Sequence, residues 1–241
     1  MTDILTAQRE PAATRWWRRP WVAPLFLLVT VFLAFSLPRY LTFDPAQSRV
    51  PAPDGASWHY PLLVAHVLFA SVAMISGSLQ VWPWFRQRYP LAHKHLGRVY
   101  VFAGVLPAGV SGFIVGANSP FGPINQVSNV MLAVLWLAFT ATAVHAARQR
   151  RFGDHRKWMI RSFALTMSII TNRLWGIPVG LWLEPQLATI FGGSEIALGQ
   201  AISGLTAWLG WTVTLLAAEW WLQRRKKRSV GPRQAPAVAV A

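Results

Sequence analysis

The sequence predicts an all-α integral membrane protein whose chain crosses the bilayer six times, with both termini in the cytoplasm. Its composition is the first observation behind this prediction: 54% of the 241 residues are hydrophobic and only 13% are charged. Soluble domains carry about a quarter charged residues, so this chain has roughly half of the usual share. Long apolar segments and an alternation of basic charge along the chain are the second and third observations.

Six apolar segments are candidates for membrane-spanning helices. They cover residues 21–37, 61–85, 99–116, 127–147, 158–183 and 196–222. A span needs about 20 apolar residues, so the first segment is short for this role. The first segment also has the basic flank of a signal peptide, but the residues that follow it, Ser36-Leu37-Pro38-Arg39, do not form a small-x-small cleavage site. We therefore expect it to be a retained membrane anchor.

Lys and Arg are concentrated in alternate gaps between these segments. The N-terminal tail, the second and fourth gaps and the C-terminal tail together carry a net charge of +17, and the other three gaps carry −2. The positive-inside rule then predicts a protein of the plasma membrane with both termini inside. This sorting accounts for the high net charge of +15, so we do not expect nucleic-acid binding. Because the chain has no cysteine, thiol chemistry and thiolate metal sites are excluded.

The charge pattern divides the chain into three parts. A basic cytoplasmic tail, residues 1–20, precedes one transmembrane domain, 21–222, and a basic tail that we expect to be disordered, 223–241, follows it. Within the domain we expect helices two to five to form a four-helix core, with helices one and six outside it.

Arg173 is the residue most costly to place in a bilayer. It lies about fifteen residues into the fifth segment, next to Asn172, and an arginine at the centre of a span costs at least about 2.5 kcal/mol. Such a residue usually faces a cavity, an anion or a polar partner. The candidates are Glu219 near the end of the sixth segment, Gln126 and Asn129 in the fourth, or an anionic ligand such as a haem propionate, a quinone or a lipid head group.

Histidines supply a second group of candidates. His66 precedes small residues on one face of the second helix, which could leave room for a porphyrin; the alternative is a neutral histidine bonded to another helix. Several more lie at or near the predicted inner boundary, namely His93, His95, His145 and His155. These imidazoles could ligate a metal or haem iron, or contact phospholipids.

The third helix carries small residues at every fourth position: Gly104, Ala108, Gly112 and Gly116. This spacing favours close packing between helices, because small side chains allow two backbones to approach each other in lipid. The alternative is a groove for a flat ligand.

The two inner turns carry a resemblance to a known family. Residues 95–100 (HLGRVY) and 155–162 (HRKWMIRS) resemble the bacterial membrane proteins of domain of unknown function 2306, and the likeness extends over 61–183. It implies a polytopic helical bundle with no established activity. The family's motif residues fall here on His66, His95, Gly97, Arg98, His155, Arg156, Trp158, Met159, Arg161 and Arg173.

The arrangement is also distantly similar to cytochrome b561-type bundles, which hold haem between histidines. Gln80 stands where those proteins would carry a second histidine below His66. The likeness therefore favours one bound haem over two.

Three functions remain open from the sequence. The first is electron transfer across the membrane by a b-type haem or a quinone, with iron held by His66 and another imidazole, or by His95 and His155, and with Arg173 at a propionate. The second is a transport or binding bundle in which Arg173 and Asn172 meet an anionic small molecule or lipid. The third is a scaffold without chemistry of its own.

Overall fold

The computed structural model describes residues 20–53 and 55–229, and it describes 225–229 by their backbone only. The described residues form helices and no β-strand, which confirms the all-α prediction. The α-helices are α1 (Val22–Ser36), α2 (Pro38–Leu41), α3 (His59–Val81), α4 (Pro83–Arg88), α5 (Pro90–Arg98), α6 (Leu106–Ala117), α7 (Pro123–Arg148), α8 (Phe152–Leu183) and α9 (Glu195–Ser229).

Each predicted apolar segment coincides with a helix or with helices joined end to end. Four described segments have the length and hydropathy to cross a membrane: His59–Val81, Pro90–Ala117, Pro123–Arg148 and Glu195–Arg224. The first helix, α1, has only 15 residues. Helix α8 has 32 residues but many polar ones, and it is not among the four. The protein is therefore a membrane protein with several candidate spans, and six crossings stay a prediction.

Proline residues mark where several helices begin. Pro83, Pro90 and Pro123 each occupy the first position of a helix, where the missing N–H would have no partner in any case. A π-helix, Val99–Val105, joins α5 to α6. It lies just before Pro107, whose ring would collide with the carbonyl four residues earlier, and the wider π turn relieves that collision.

The core of the molecule includes the last helix. Seven buried residues from the π-helix, α3, α6, α7, α8 and α9 form the main hydrophobic cluster: Ala73, Tyr100, Val105, Ala108, Trp136, Leu165 and Trp211. The Trp211 indole of α9 also donates a hydrogen bond to Ser128 Oγ of α7, 3.0 Å away. The core is thus larger than the predicted set of helices two to five. Helix α1 remains outside it and packs through Val29 on α3 and α8.

Neighbouring long helices run in opposite directions, so the bundle has two chemically different ends. At the basic end α3, α7 and α9 finish and α5 and α8 begin; at the distal end α3, α7 and α9 begin, and Tyr40 of α2 and Val50 pack on the start of α3. Helix α9 continues to Ser229, so residues 223–229 of the predicted disordered tail are helical. The predictions for residues 1–19 and 230–241 fall outside the described residues.

Candidate functional site

Arg161, near the start of α8, has a carboxylate partner. Its Nε and Nη2 atoms donate hydrogen bonds to the two carboxylate oxygens of Glu219 in α9, the second at 3.0 Å. The guanidinium also lies over the Trp158 ring, 4.5 Å from its centroid. Planar two-point pairing of this kind suits arginine better than lysine. Arg161, Trp158 and Glu219 therefore contact one another in a single group. The Glu219 carboxylate is thus not the partner of Arg173.

Arg173, further along α8, lies among other cations at the distal end. It is within electrostatic range of Arg49, Arg39 and the Tyr40 hydroxyl. The guanidinium carbons of Arg49 and Arg39 lie 4.2 and 5.8 Å from the centroid of the Phe35 ring. We call Arg39, Arg49 and Arg173 the distal arginine cluster. Sequence analysis singled out Arg173 alone, because the other two stand far away along the chain.

No carboxylate forms an ion pair with this cluster among residues 20–53 and 55–229. Asp44, which follows α2, accepts hydrogen bonds from the Ala46 N–H at 3.0 Å and from the Gln47 side chain at 3.3 Å. The Nε atom of Arg39 is buried and lacks a hydrogen-bond partner, as does the Tyr60 hydroxyl. Buried donors without partners are costly, so this end of the bundle has unused capacity to bind an anion.

The polar residues proposed as partners of Arg173 serve other contacts. Asn172 packs against Gly210 of α9. Gln126 donates to the Ser119 carbonyl at 2.8 Å, and Asn129 donates to Asn125 Oδ1 at 2.7 Å. The Gln126 bond ties the α6–α7 loop to the start of α7, and the Asn129 bond lies within α7.

One apolar crevice is lined by residues of α1, α2 and α3. It has a volume of about 380 Å³ and runs between α1 and α3. Pro38 and Leu41 of α2 line it, on either side of Arg39 in the sequence. The other lining residues are Phe26, Val29, Thr30, Leu33, Ala34, Leu37, Ile75 and Ser78. Helix α2 therefore contributes Arg39 to the cluster and two apolar side chains to the crevice.

His59 was missed by the sequence analysis. Its side chain is fully buried at the start of α3, and both ring nitrogens lack a hydrogen-bond partner. Its ring stacks edge-on against Trp58, with centroids 5.9 Å apart. The available signal was a histidine next to an interfacial tryptophan, just before the second apolar segment.

His66 is hydrogen-bonded to another helix, which was the alternative to haem ligation given above. Its Nδ1 lies 2.9 Å from the Ala108 carbonyl oxygen, and because a carbonyl only accepts, Nδ1 carries the proton and Nε2 has a free lone pair. The ring is pressed against α6, since a Cβ on Gly112 would lie 2.7 Å from His66 Cε1. Ligating histidines often make this kind of Nδ1–H bond to a carbonyl, so His66 would hold haem iron through Nε2 if that group were bound.

The remaining histidines lie at the basic end. His155 donates from Nδ1 to the Ala143 carbonyl, 2.9 Å away, and His93 lies within electrostatic range of it. His95 and His145 are exposed, as is Arg98. No group of three or more His, Cys, Asp or Glu side chains suited to a metal ion occurs in the part of the chain that the structure describes.

The comparisons with known proteins agree with a membrane bundle. A family model described as "Predicted membrane protein (DUF2306)" matches residues 63–222, about two thirds of the 241-residue chain. The match extends beyond 183, the limit of the sequence resemblance, and so includes most of α9. No curated protein and no solved structure matches the chain.

Proposed function

The chain belongs to the DUF2306 family of predicted membrane proteins, and on that premise we propose that it binds an anionic amphiphile at the distal end of its bundle. The acidic head group contacts Arg39, Arg49 and Arg173, and the single apolar chain lies in the crevice between α1 and α3. The observation that carries the proposal is the absence of any carboxylate ion pair at this cluster in the described residues.

The contrast between the two arginines of α8 supports an external anion. Arg161 has its counter-charge in Glu219, whereas Arg173 has two further arginines in range. Like charges held close together repel each other, so an anion between them relieves a cost that the described protein groups do not relieve. Arg49 and Arg173 are exposed, which makes them accessible to such an anion. A carboxylate or phosphate suits the planar forks of arginine.

The surroundings of the cluster favour an amphiphile over a small water-soluble anion. Leu174, Ile177 and Leu181 expose much of their side chains on the same helix as Arg173. The crevice of about 380 Å³ adjoins α2 and is lined almost entirely by apolar side chains. A ligand with one charged and one apolar end satisfies both surfaces.

The first prediction tests this site by thermal unfolding of the full chain in a neutral detergent. Laurate should raise the melting temperature and dodecanol, with the same chain but no charge, should raise it less. A hundredfold excess over Kd stabilises by about 2.7 kcal/mol. Arg173→Gln should reduce the laurate effect to the dodecanol level, whereas Arg88→Gln, which removes an equal charge from an exposed position at the basic end, should preserve it.

An unchanged laurate effect in Arg173→Gln would refute the site. A scaffold without chemistry predicts instead that Arg173→Gln lowers stability equally with and without laurate.

Haem binding at His66 is the second candidate function, favoured by the free Nε2 lone pair. A Soret band in the purified protein that is lost in His66→Ala would identify haem as the ligand and reject the amphiphile.

We also propose that the protein lies in the plasma membrane with its basic end, and so both termini, facing the cytoplasm. The charge sums of +17 and −2 on the two sides support this orientation. It would expose the distal arginine cluster to the outer leaflet.

A further inference from the structure

A second group of basic residues, two arginines and two histidines, lies at the opposite end of the bundle from the distal arginine cluster. Arg86 of α4 is within electrostatic range of Arg156 of α8, and His93 of α5 is within range of both Arg86 and His155. We call these four residues the basic-end cluster. Three separate helices therefore bring positive or protonatable groups to one place, although repulsion opposes this.

The nearby carboxylates are occupied elsewhere. Asp154 accepts a hydrogen bond from Lys157 at 3.0 Å and lies 3.6 Å from Arg151, and these cations hold the pKa of its carboxyl below the usual range. Glu219 is paired with Arg161. Burial, and then the charge of Arg156, lowers the pKa of the Arg86 guanidinium, as expected for a cation without a counter-charge.

Two buried donors at the same end also lack partners. The Trp82 indole nitrogen and His93 Nδ1 are buried without any hydrogen bond. Trp82 stands one helical turn before Arg86, whose backbone N–H bonds to its carbonyl at 3.2 Å. His93 is fixed from the other side, because Gln80 donates to its carbonyl at 2.7 Å. Unmade hydrogen bonds of this kind point to a ligand rich in acceptor atoms.

We propose that the basic-end cluster, together with Trp82, binds the phosphate of an anionic phospholipid head group. A phosphate accepts several hydrogen bonds and matches arginine in two-point contacts. Helices α4 and α5 follow the end of the candidate span His59–Val81, and the end of a span lies at the level of the head groups in a bilayer. In the orientation proposed above, the cytoplasmic leaflet supplies anionic lipids at this level. The inference does not depend on the distal site.

The second prediction counts retained lipids by native mass spectrometry of the full chain, using phosphatidylglycerol and phosphatidylcholine as probes. The wild-type protein should retain more phosphatidylglycerol than phosphatidylcholine. Arg156→Gln, at an exposed position, should weaken that retention about tenfold, as expected for the loss of one charged hydrogen bond. Trp82→Phe should weaken it by a smaller factor, since it keeps the ring and loses only the N–H donor.

Arg88→Gln is the matched control, because it removes the same charge from the same end at an exposed position outside the cluster, and it should leave the retention unchanged. Equal losses in Arg88→Gln and Arg156→Gln would overturn the proposal in favour of general attraction to the basic end. Inorganic phosphate is the second arm. If it raises the melting temperature of wild type as much as phosphatidylglycerol does, and not that of Arg156→Gln, the lipid assignment is overturned in favour of free phosphate.

Discussion

At the scale of single residues, Arg161 and Arg173 look alike in the sequence and differ in the structure. Both interrupt the same apolar helix. Arg161 pairs with Glu219, 58 positions away, and Arg173 lies near Arg39 and Arg49, more than 120 positions away. The hydropathy pattern showed that Arg173 is costly to place within a membrane span. No local pattern, however, specifies which residues from distant helices contact a given side chain.

The third prediction concerns the Arg161–Glu219 pair. Glu219→Gln should lower the free energy of unfolding by about 1–3 kcal/mol, because the amide leaves a guanidinium that is only 19% exposed without its counter-charge. Thermal unfolding in detergent measures the loss. The double variant Arg161→Gln/Glu219→Gln should lose less than the sum of the two single variants; strictly additive losses would contradict the pairing.

Buried hydroxyl groups formed a network that sequence analysis did not foresee. Tyr100, fully buried, bonds to Ser162 at 2.7 Å and to Thr166 at 2.9 Å. Thr140 also bonds to Ser162, and the Trp136 indole donates to Thr166. These residues are common in membrane helices and carry no spacing that marks them, so the network exists only through the packing of the π-helix, α7 and α8.

At the scale of elements, the stripe of small residues acts as a packing surface. A Cβ on Gly104 would lie 2.9 Å from Ala73 Cα of α3, and one on Gly116 would lie 2.8 Å from Asn129 Cβ of α7. Ala108 is fully buried, and Gly112 receives the His66 ring. The packing interpretation is thus confirmed, because backbones approach as closely as small-residue spacing allows.

The fourth prediction follows from this contact. Gly104→Ala should destabilise the protein by about 1–3 kcal/mol, because its new methyl group meets backbone atoms that cannot move aside easily. Gly176→Ala is the matched control in α8, where nothing lies within 4 Å of the added Cβ, and it should be neutral or stabilising by about 0.5–1 kcal/mol. Melting temperatures of the two variants give the comparison, and equal shifts would contradict the close approach.

At the scale of the whole molecule, the extent of the core differs from the expectation. Sequence analysis predicts a four-helix core of helices two to five, with the last helix outside it. In the structure α9 supplies Trp211 to the main cluster, and the Thr171 hydroxyl of α8 donates to the Gly210 carbonyl at 2.8 Å. The family match to residue 222 agrees with this larger unit.

The fifth prediction tests the orientation of the whole bundle. Because the chain lacks cysteine, a single introduced thiol reports one position. Ser57→Cys at the distal end and Gly153→Cys at the basic end both lie at exposed sites. A membrane-impermeant maleimide should label the first in intact cells and the second only after permeabilisation. If only Gly153→Cys is labelled in intact cells, the orientation is the reverse of the one proposed. If both variants are labelled in intact cells, the two positions do not lie on opposite sides of the membrane.

The sequence by itself determined the all-α class, the positions of the long helices and the alternation of charge between the ends. Each of these is a sum over neighbouring residues, since hydropathy and charge act locally on a helix in lipid. Only the tertiary structure decided that Glu219 belongs to Arg161, that Arg173 joins Arg39 and Arg49, and that His66 bonds to Ala108. Those contacts depend on the rotation and partners of each helix, which are set by packing between residues far apart in the chain.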